Sequence, residues 1–180
     1  MNNSKQKDFM DLYSPIHESF IRFCKAKSYG IIEYEDLINE TILRAYSSFE
    51  SLKNKKAFLG FLFGIASNII KNSLRRKDFI SYKAEYNSNI EDVSYSLERK
   101  HDIELLYKAL NQLPEKTKEA IILFEISGFS IKEISEIQDS SNSAIKQRLK
   151  RGRESLSTIL GVKDVNKTTS PSFLSIMFTL

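Results

Sequence analysis

The chain has 180 residues, of which 41% are hydrophobic and 28% are charged, with a formal net charge of +4. That length suits one domain or two small helical ones, and the scarcity of glycine (6) and proline (3) favours long helices over a turn-rich β fold. Cys24 is the single cysteine, and His17 and His101 lie far apart, so neither an internal disulfide nor a metal-ligand cluster is expected. We find no secretory signal and no window with the roughly 18 apolar residues of a membrane span, which predicts a cytoplasmic protein.

Apolar residues at helical spacing predict two helices before residue 50. The first helical region carries one apolar face from Phe9 to Phe23, with Ser14-Pro15 as either a start or a kink. The second helix runs from about Tyr34 to Phe49, with acids in its first turn, where the helix dipole favours them. Taken alone, these acids indicate dipole complementation and an i,i+4 ion pair rather than a docking surface.

A third helix is predicted from Ala57 to Lys77, after a lysine-rich break at 50–56. Gly60 and Gly64 each cost this helix up to about 1 kcal/mol relative to alanine, so we expect a close backbone contact there. The helix ends in a polar, basic group that suits its dipole and a nucleic-acid surface equally well. This group comprises Asn68, Lys71, Asn72, Arg75, Arg76 and Lys77.

Residues 79–102 lack sustained periodicity and are rich in serine, asparagine and acids, which predicts an inter-domain linker. A helix then begins near Asp102 and closes at Leu113-Pro114. The next helix runs from Glu115 to Ile126 and ends before Gly128.

Residues 130–156 predict a helix-turn-helix. Two groups of apolar residues at helical spacing are separated by four short polar residues at 139–142, which end one helix and cap the next. Ser130 and Glu133 predict a capping box at the start of the first helix. The second helix carries a run of cations with no acid before Glu154. A basic helix alone would indicate a solvated surface, but with this turn and first helix it indicates a reader of the DNA major groove.

The end of the chain, residues 173–180, is uncharged and mostly apolar. It is too short to span a membrane and has the composition of an aggregation-prone strand. We therefore expect it to be covered by its own protein or by a partner, most simply by folding weakly against the nearest helix.

Two separated segments resemble conserved regions of bacterial RNA polymerase sigma factors of the extracytoplasmic-function (ECF) group. EYEDLINETILRAYSSFESL followed by AFLGFLFGIASNIIKNSLRR is similar to region two, and ALNQLPEKTKEAIILFEISGFSIKEISEIQDSSNSAIKQRLKRGRESL is similar to region four. The resemblance covers about residues 9–160 in the family's order. It implies an all-α protein of two small helical domains joined by a flexible linker. The implied parts are a region-two domain (1–78), the linker (79–102), a region-four domain (103–160) and a tail of unknown role (161–180).

The resemblance also implies site residues, and it changes the interpretation of the early acids to docking. The residues matching the segment that binds core polymerase are Asp36, Leu37, Asn39, Glu40 and Arg44. Those matching the minus-ten surfaces are the base-capturing loop with Lys53, Asn54, Lys55 and Lys56, and the helix with Asn68, Lys71, Asn72, Arg75 and Arg76. Those matching the minus-thirty-five reader are Ser141, Asn142, Ser143, Ala144, Lys146, Gln147, Arg148, Lys150 and Arg151. In this reader the cations mostly neutralise phosphates, while Gln147, Asn142 or an arginine reads base edges.

The chain departs from the family pattern at several positions. The family usually has glutamine at Asn39, tryptophan at Phe61 and aspartate at Asn72. In the reader turn it usually has glycine at Asp139, an aliphatic residue at Ser140, glycine at Ser143 and threonine at Ala144. Ser140, in place of a buried aliphatic residue, is the departure expected to weaken the turn.

The resemblance implies a transcription initiation factor without catalytic residues or a cofactor. Its partners would be core RNA polymerase, promoter DNA and an anti-sigma factor. One alternative is a helix-turn-helix transcription regulator that does not bind polymerase. A second is a nucleic-acid enzyme such as a recombinase, which no spaced carboxylates, activated nucleophile or phosphate loop supports.

Overall fold

A computed structural model describes the backbone of residues 2–80 and 97–161, and the side chains of 4–76 and 104–161. The centre of the predicted linker and the apolar tail lie outside the described residues. All regular structure in the described parts is helical, as predicted. The α-helices are α1 (Asn2–Tyr13), α2 (His17–Ser28), α3 (Tyr34–Ser47), α4 (Phe58–Ile80), α5 (Leu97–Asn111), α6 (Glu115–Ile121), α7 (Ile131–Ile137) and α8 (Asn142–Leu160).

Some boundaries differ from those predicted from the sequence. Helix α4 continues to Ile80 and α5 already begins at Leu97, so helix extends into both ends of the predicted linker. The helix predicted over 115–126 changes at Ile122 into a π-helical segment, Ile122–Ile126. A 3-10 turn at Ser14–Ile16 separates α1 from α2, because Pro15 has no backbone N–H with which to continue α-helical hydrogen bonding.

Helices α1 to α4 pack around aromatic side chains. Phe9 of α1 makes edge-to-face contacts with Tyr46, Phe49 and Phe58, with ring centroids 5.4–5.6 Å apart. Phe63 of α4 makes similar contacts within the same core. Such pairs contribute about 0.5–1.5 kcal/mol beyond the burial of their area. This aromatic core holds α3 and α4 in fixed positions relative to each other.

Helices α5 to α8 form the second group, in which α5, α6 and α7 each pack against α8. Ile145, Leu149 and Leu156 form the buried stripe of α8 at helical spacing. The predicted capping box of α7 is confirmed, because Ser130 accepts from the Glu133 backbone N–H while the Glu133 carboxylate accepts from the Ser130 N–H. The helix-turn-helix is therefore built as the sequence predicts.

The two groups pack directly on each other and share one core. Phe63 of α4 meets Phe129, which precedes α7, with ring centroids 5.2 Å apart. A Cβ on Gly60 would lie 3.1 Å from the carbonyl oxygen of Glu136 in α7, whereas a Cβ on Gly64 would meet nothing within 4 Å. The close contact predicted at these glycines is therefore confirmed at Gly60 and wrong at Gly64.

The segment Lys55–Arg76 is long and apolar enough, by length and composition, to cross a membrane. The expectation that no segment of the chain is long and apolar enough to span a membrane is wrong by this criterion. A core helix of a globular protein passes the same test. Its apolar face lies in the shared core, through Phe58, Leu62, Phe63, Ala66, Ile69 and Ile70.

Candidate nucleic-acid and partner interfaces

The outer face of α3 presents the residues expected to dock a partner. Asp36, Asn39, Glu40 and Arg44 are exposed and recur at helical spacing, and the Arg44 guanidinium donates to the Glu40 carboxylate. Leu37 is fully buried, so it anchors α3 to the core instead of lying on this face.

Sequence reasoning missed one residue of this face. Leu43 is 67% exposed, the most exposed of the large hydrophobic residues in the described parts. It follows Asn39 and Glu40 by four and three positions, so helical spacing could have placed it beside them. Its side chain gives the polar face of α3 an apolar centre.

The loop between α3 and α4 contains two 3-10 turns, and its four predicted site residues are exposed. The Asn54 side-chain carbonyl accepts from the Lys56 backbone N–H at 3.0 Å, so this side chain shapes the loop. The Lys55 ammonium lies 3.1 Å from the Asp8 carboxylate of α1, a contact that sequence reasoning did not find. Lys53 and Lys56 complete the basic edge of the loop.

The second half of α4 brings five predicted residues onto one exposed face. They follow each other by three, one, three and one positions, which is the spacing of a single helical stripe. The stripe consists of Asn68, Lys71, Asn72, Arg75 and Arg76.

Most residues of the predicted minus-thirty-five reader lie on the exposed face of α8. Ser141 caps the helix by accepting from the Ala144 N–H at 3.2 Å, and Ala144 is half-buried behind this cap. The exposed residues of this part of the chain are Ser141, Asn142, Ser143, Lys146, Gln147, Lys150 and Arg151. A seam of cations and amides thus faces solvent opposite the buried stripe of α8.

Two arginines of α8 are turned away from this face. Arg148 is half-buried and donates to Gln138 and Ser140 in the turn. Arg153 donates to the Glu125 carboxylate at 2.7 Å and stacks on the Phe124 ring. The protein engages the charges of both arginines, whereas the exposed Lys150 has only a loose i,i+4 pair with Glu154, at 3.9 Å.

The contact between the two helical groups is held by polar side chains that sequence reasoning missed. Arg22 of α2 donates to the carbonyl oxygens of Ile126 (3.1 Å) and Ser127 (3.2 Å), which the π-helical segment leaves available. Ser67 of α4 donates to the Glu119 carboxylate at 2.7 Å. The three exposed surfaces on α3, α4 and α8 lie outside this contact.

Lys27 of α2 also lies in this contact, buried against α6. Its ammonium donates to the Glu115 carboxylate and lies 3.7 Å from that of Glu119. Helical spacing could have found it, because Lys27 follows Phe20 and Phe23 by seven and four positions on the apolar face.

The electrostatics of this cluster follow from the crowding of two buried lysines, Lys27 and Lys118, next to the exposed Glu115. Burial and the nearby charge of Lys27 lower the pKa of Lys118, against the attraction of Glu115. Burial raises the pKa of Glu115, but attraction and hydrogen bonding from Lys27, together with the charge of Lys118, outweigh it and lower that pKa. Glu115 is therefore ionised at neutral pH and balances part of the buried positive charge. Among the described side chains no group of three or more His, Cys, Asp or Glu residues could hold a metal ion.

Comparison with known proteins identifies both helical groups. The family model for sigma-70 region 2 matches residues 12–80, and that for sigma-70 region 4 matches residues 103–156. The ECF RNA polymerase sigma-E factor of Haemophilus influenzae is 33% identical over 137 residues, which are 66% of this chain and 70% of that protein. The ECF RNA polymerase sigma factor SigW of Bacillus subtilis is 28% identical over 167 residues, which are 84% of this chain and 88% of that protein.

Solved structures agree with this assignment. The sigma factor RpoE of Bartonella quintana, solved in complex with the anti-sigma factor NepR, aligns with a TM-score of 0.61 and 27% identity, covering 88% of this chain and 99% of that one. CnrH, solved with the cytosolic domain of CnrY, aligns with a TM-score of 0.62 and 21% identity over 88% of this chain and 91% of that one, which supports the fold.

Proposed function

The chain belongs to the ECF group of RNA polymerase sigma factors, and from this premise we propose which of its exposed surfaces bind polymerase and which bind promoter DNA. As a member of this group it binds core RNA polymerase and directs it to specific promoters. The alternative of a regulator that does not bind polymerase is not favoured, because regions 2 and 4 both match in the family's order.

The exposed face of α3 is the proposed contact with core polymerase. Asp36, Asn39, Glu40 and Arg44 supply its polar contacts, while Leu43 supplies an apolar centre of the kind that carries much of the energy of protein interfaces. Leu37 contributes by holding α3 in the core.

The loop at 53–56 and the stripe on α4 form the proposed minus-ten surface. Three lysines of the loop and the three cations of the stripe suit a displaced, unpaired strand, whose phosphates they neutralise. Asn54 contributes by fixing the loop through its bond to Lys56. The proposed minus-thirty-five reader uses the exposed residues of α8, in which Lys146, Lys150 and Arg151 bind phosphates and Gln147 or Asn142 reads base edges.

The observation that carries this proposal is that two basic helix faces, one in each region, stay exposed while the regions pack together. Minus-ten and minus-thirty-five elements lie about 25 base pairs apart, or about 85 Å at 3.4 Å per base pair. In this structure Gly60 lies against α7, which packs on α8, and the stretch of α4 from Gly60 to Arg76 is only about 24 Å long at 1.5 Å per residue. The two faces are therefore much closer than the promoter elements.

We infer that the two regions separate when the protein acts on a promoter. The division proposed from the sequence, with domains at 1–78 and 103–160, provides for this movement. Residues 81–96 can span at most about 55 Å at 3.4 Å per residue, which together with the size of the domains is sufficient.

The protein acts by bridging polymerase and DNA and carries no catalytic residue of its own. It works in the cytoplasm, where polymerase and promoter DNA are present. Because RpoE of Bartonella quintana was solved with an anti-sigma factor, a regulator of that kind is a proposed partner here too.

The test is transcription in vitro with purified core polymerase and fragments of the source genome. New start sites that appear only with this protein are expected, and aligning them would reveal both promoter elements. Replacing Lys71 and Arg75 by alanine should abolish these starts without loss of polymerase binding, whereas replacing the exposed Lys132 of α7 should have no effect. Failure to bind core polymerase would contradict the proposal.

A further inference from the structure

Arg148 differs from the other cations at the N-terminal half of α8 in where its guanidinium lies. Its Nη1 donates to the side-chain carbonyl of Gln138 at 2.6 Å and to the Ser140 hydroxyl at 3.0 Å. Lys146 and Lys150, two positions before and after, are exposed. Positive charge alone gives these three residues similar roles, but residues two positions apart do not share a helix face, and the hydrogen bonds show where the charge of Arg148 is held.

Gln138, which accepts this hydrogen bond from Arg148, is buried at the end of α7. It is 6% exposed, and its amide Nε2 donates to the Lys116 carbonyl oxygen and to the Glu119 carboxylate, both at 2.9 Å. With Arg148 on its carbonyl, Gln138 uses both amide hydrogens and its oxygen. A polar chain thus runs from α6 through the end of α7 to α8.

The turn between α7 and α8 has a particular need for such a chain. Asp139 has a left-handed backbone conformation with a φ of 47°, and the neighbouring Ser140 is only half-buried. Ser140 donates to the Gln138 carbonyl oxygen at 3.1 Å in addition to accepting from Arg148. Because serine offers little apolar area, hydrogen bonds supply much of what fixes this turn.

We propose that Arg148 is a positioning residue for promoter recognition, which fixes the angle of α8 through Gln138 and Ser140 and makes no phosphate contact. This inference rests on the proposed function of α8 as the minus-thirty-five reader. The bonds to Gln138, Ser140 and Lys116 all lie within region four, so they persist when the two regions separate. The clamp of Arg148, Gln138 and Ser140 thereby aims Lys146, Gln147 and Lys150 at one groove.

The salt dependence of DNA binding separates positioning from phosphate contact. The full chain, assembled with core polymerase, is titrated against a mixed-sequence DNA duplex at several salt concentrations. Lys146→Ala and Lys150→Ala should each reduce the slope of log K against log salt by about 0.9. Arg148→Ala and Gln138→Ala should weaken binding about tenfold, the factor for one charge-assisted hydrogen bond, and leave that slope unchanged.

Gln138→Ala is the decisive variant, because Gln138 is buried and uncharged and cannot contact DNA. Combined with Arg148→Ala it should cause no further loss, since each substitution removes the same clamp. Arg148→Lys keeps the charge, but the lysine ammonium lies one bond short of the position of Nη1, the donor of both hydrogen bonds, so it should resemble Arg148→Ala. A lower salt slope for Arg148→Ala that Arg148→Lys restores, or additive losses with Gln138→Ala, would overturn the proposal.

A second variant covers the case in which the clamp mutants fold poorly. Ser140→Val in the Arg148→Ala background replaces lost hydrogen bonds by apolar packing, and it should restore affinity and thermal stability without restoring the charge. A variant that regains stability but not affinity would show that the charge itself is needed, and would overturn the proposal. If Lys146→Ala and Lys150→Ala leave the slope of log K against log salt unchanged, the proposed reader role of α8 fails instead. That result does not depend on Arg148.

Discussion

The side chain of Lys27 in α2 is 1% exposed, and its ammonium group donates to the carboxylate of Glu115 at the start of α6. This pair joins region two to region four, and Glu119 stands 3.7 Å from the same ammonium. A buried ammonium is costly unless it is paired, so its partners decide whether the packed arrangement is stable. The contact between the regions therefore depends on a charge balance as well as on apolar burial.

Glu115→Gln should loosen the packing of the two regions, because it leaves Lys27 with one more distant carboxylate. The Glu115 side chain is 67% exposed, so water screens part of this loss, and we expect about 1 kcal/mol. Lys27→Met removes the buried charge while keeping apolar volume, so it should be neutral or stabilising, and the double variant should follow Lys27→Met. The measurements are urea unfolding and the radius of gyration by small-angle scattering, which rises when the regions separate.

The matched control is Glu104→Gln, which breaks the exposed Glu104–Lys108 pair within α5. This control should stay within about 0.5 kcal/mol. Equal losses for Glu115→Gln and Lys27→Met would contradict the role given to the charge balance.

The same pair makes the packing sensitive to acid. The pKa of Glu115 is lowered in the folded protein, because Lys27 and Lys118 outweigh the opposing effect of burial. A lowered pKa contributes stability above the unfolded value of about 4.3, and that stability is lost as the pH falls through the folded value. We expect the regions to loosen below about pH 4, and Lys27→Met to reduce this dependence. The pKa of Glu115 is measured by following its carboxyl carbon by NMR during an acid titration. A pKa equal to that of the unfolded chain would contradict this prediction.

Much of this fold could be predicted from spacing and caps. Ser130 with Glu133, the stop at Gly128 and the buried stripe of α8 each appear where local sequence places them. The packing of region two on region four could not be predicted, because Arg22 and Ser67 find their partners about 105 and 52 positions along the chain. Helical spacing tells which face is apolar and does not tell which helix covers it.

The candidate site shows the same division between local and distant information. The stripe on α4 and the seam on α8 follow from helical spacing, as the exposure of Lys71 and Lys146 illustrates. Arg148 has the composition of a DNA contact, yet the structure gives it protein partners ten and eight positions earlier. Charge composition alone does not distinguish an arginine that holds a turn from one that faces solvent.

Asp139→Gly should stabilise the reader turn. Asp139 has a φ of 47°, where a Cβ is unfavourable by about 1–2 kcal/mol and glycine is not. The greater freedom of glycine in the unfolded chain offsets about 0.5–1 kcal/mol of this, so we expect a net gain of up to about 1.5 kcal/mol. Asp139→Ala is the control: it removes the carboxylate but keeps the Cβ, and should give no gain. Thermal unfolding of the full chain measures both, and a gain from alanine equal to that from glycine would contradict backbone strain as the cause.

Gly60 and Gly64 offer a matched test of the contact between the regions, because both lie in α4 and only one is crowded. A Cβ at Gly60 would approach the Glu136 carbonyl oxygen to 3.1 Å, while one at Gly64 would have no neighbour within 4 Å. Gly64→Ala should therefore gain about 0.5–1 kcal/mol, the ordinary benefit of alanine over glycine within a helix. Gly60→Ala has the same helical benefit but must push α7 away by a few tenths of an ångström. Its gain in stability should therefore be smaller or become a loss. Because the crowding exists only while the regions are packed, Gly60→Ala should also shift the protein toward separated regions, seen as a larger radius of gyration. Equal stability and equal size for the two variants would show that this close approach does not hold the regions together.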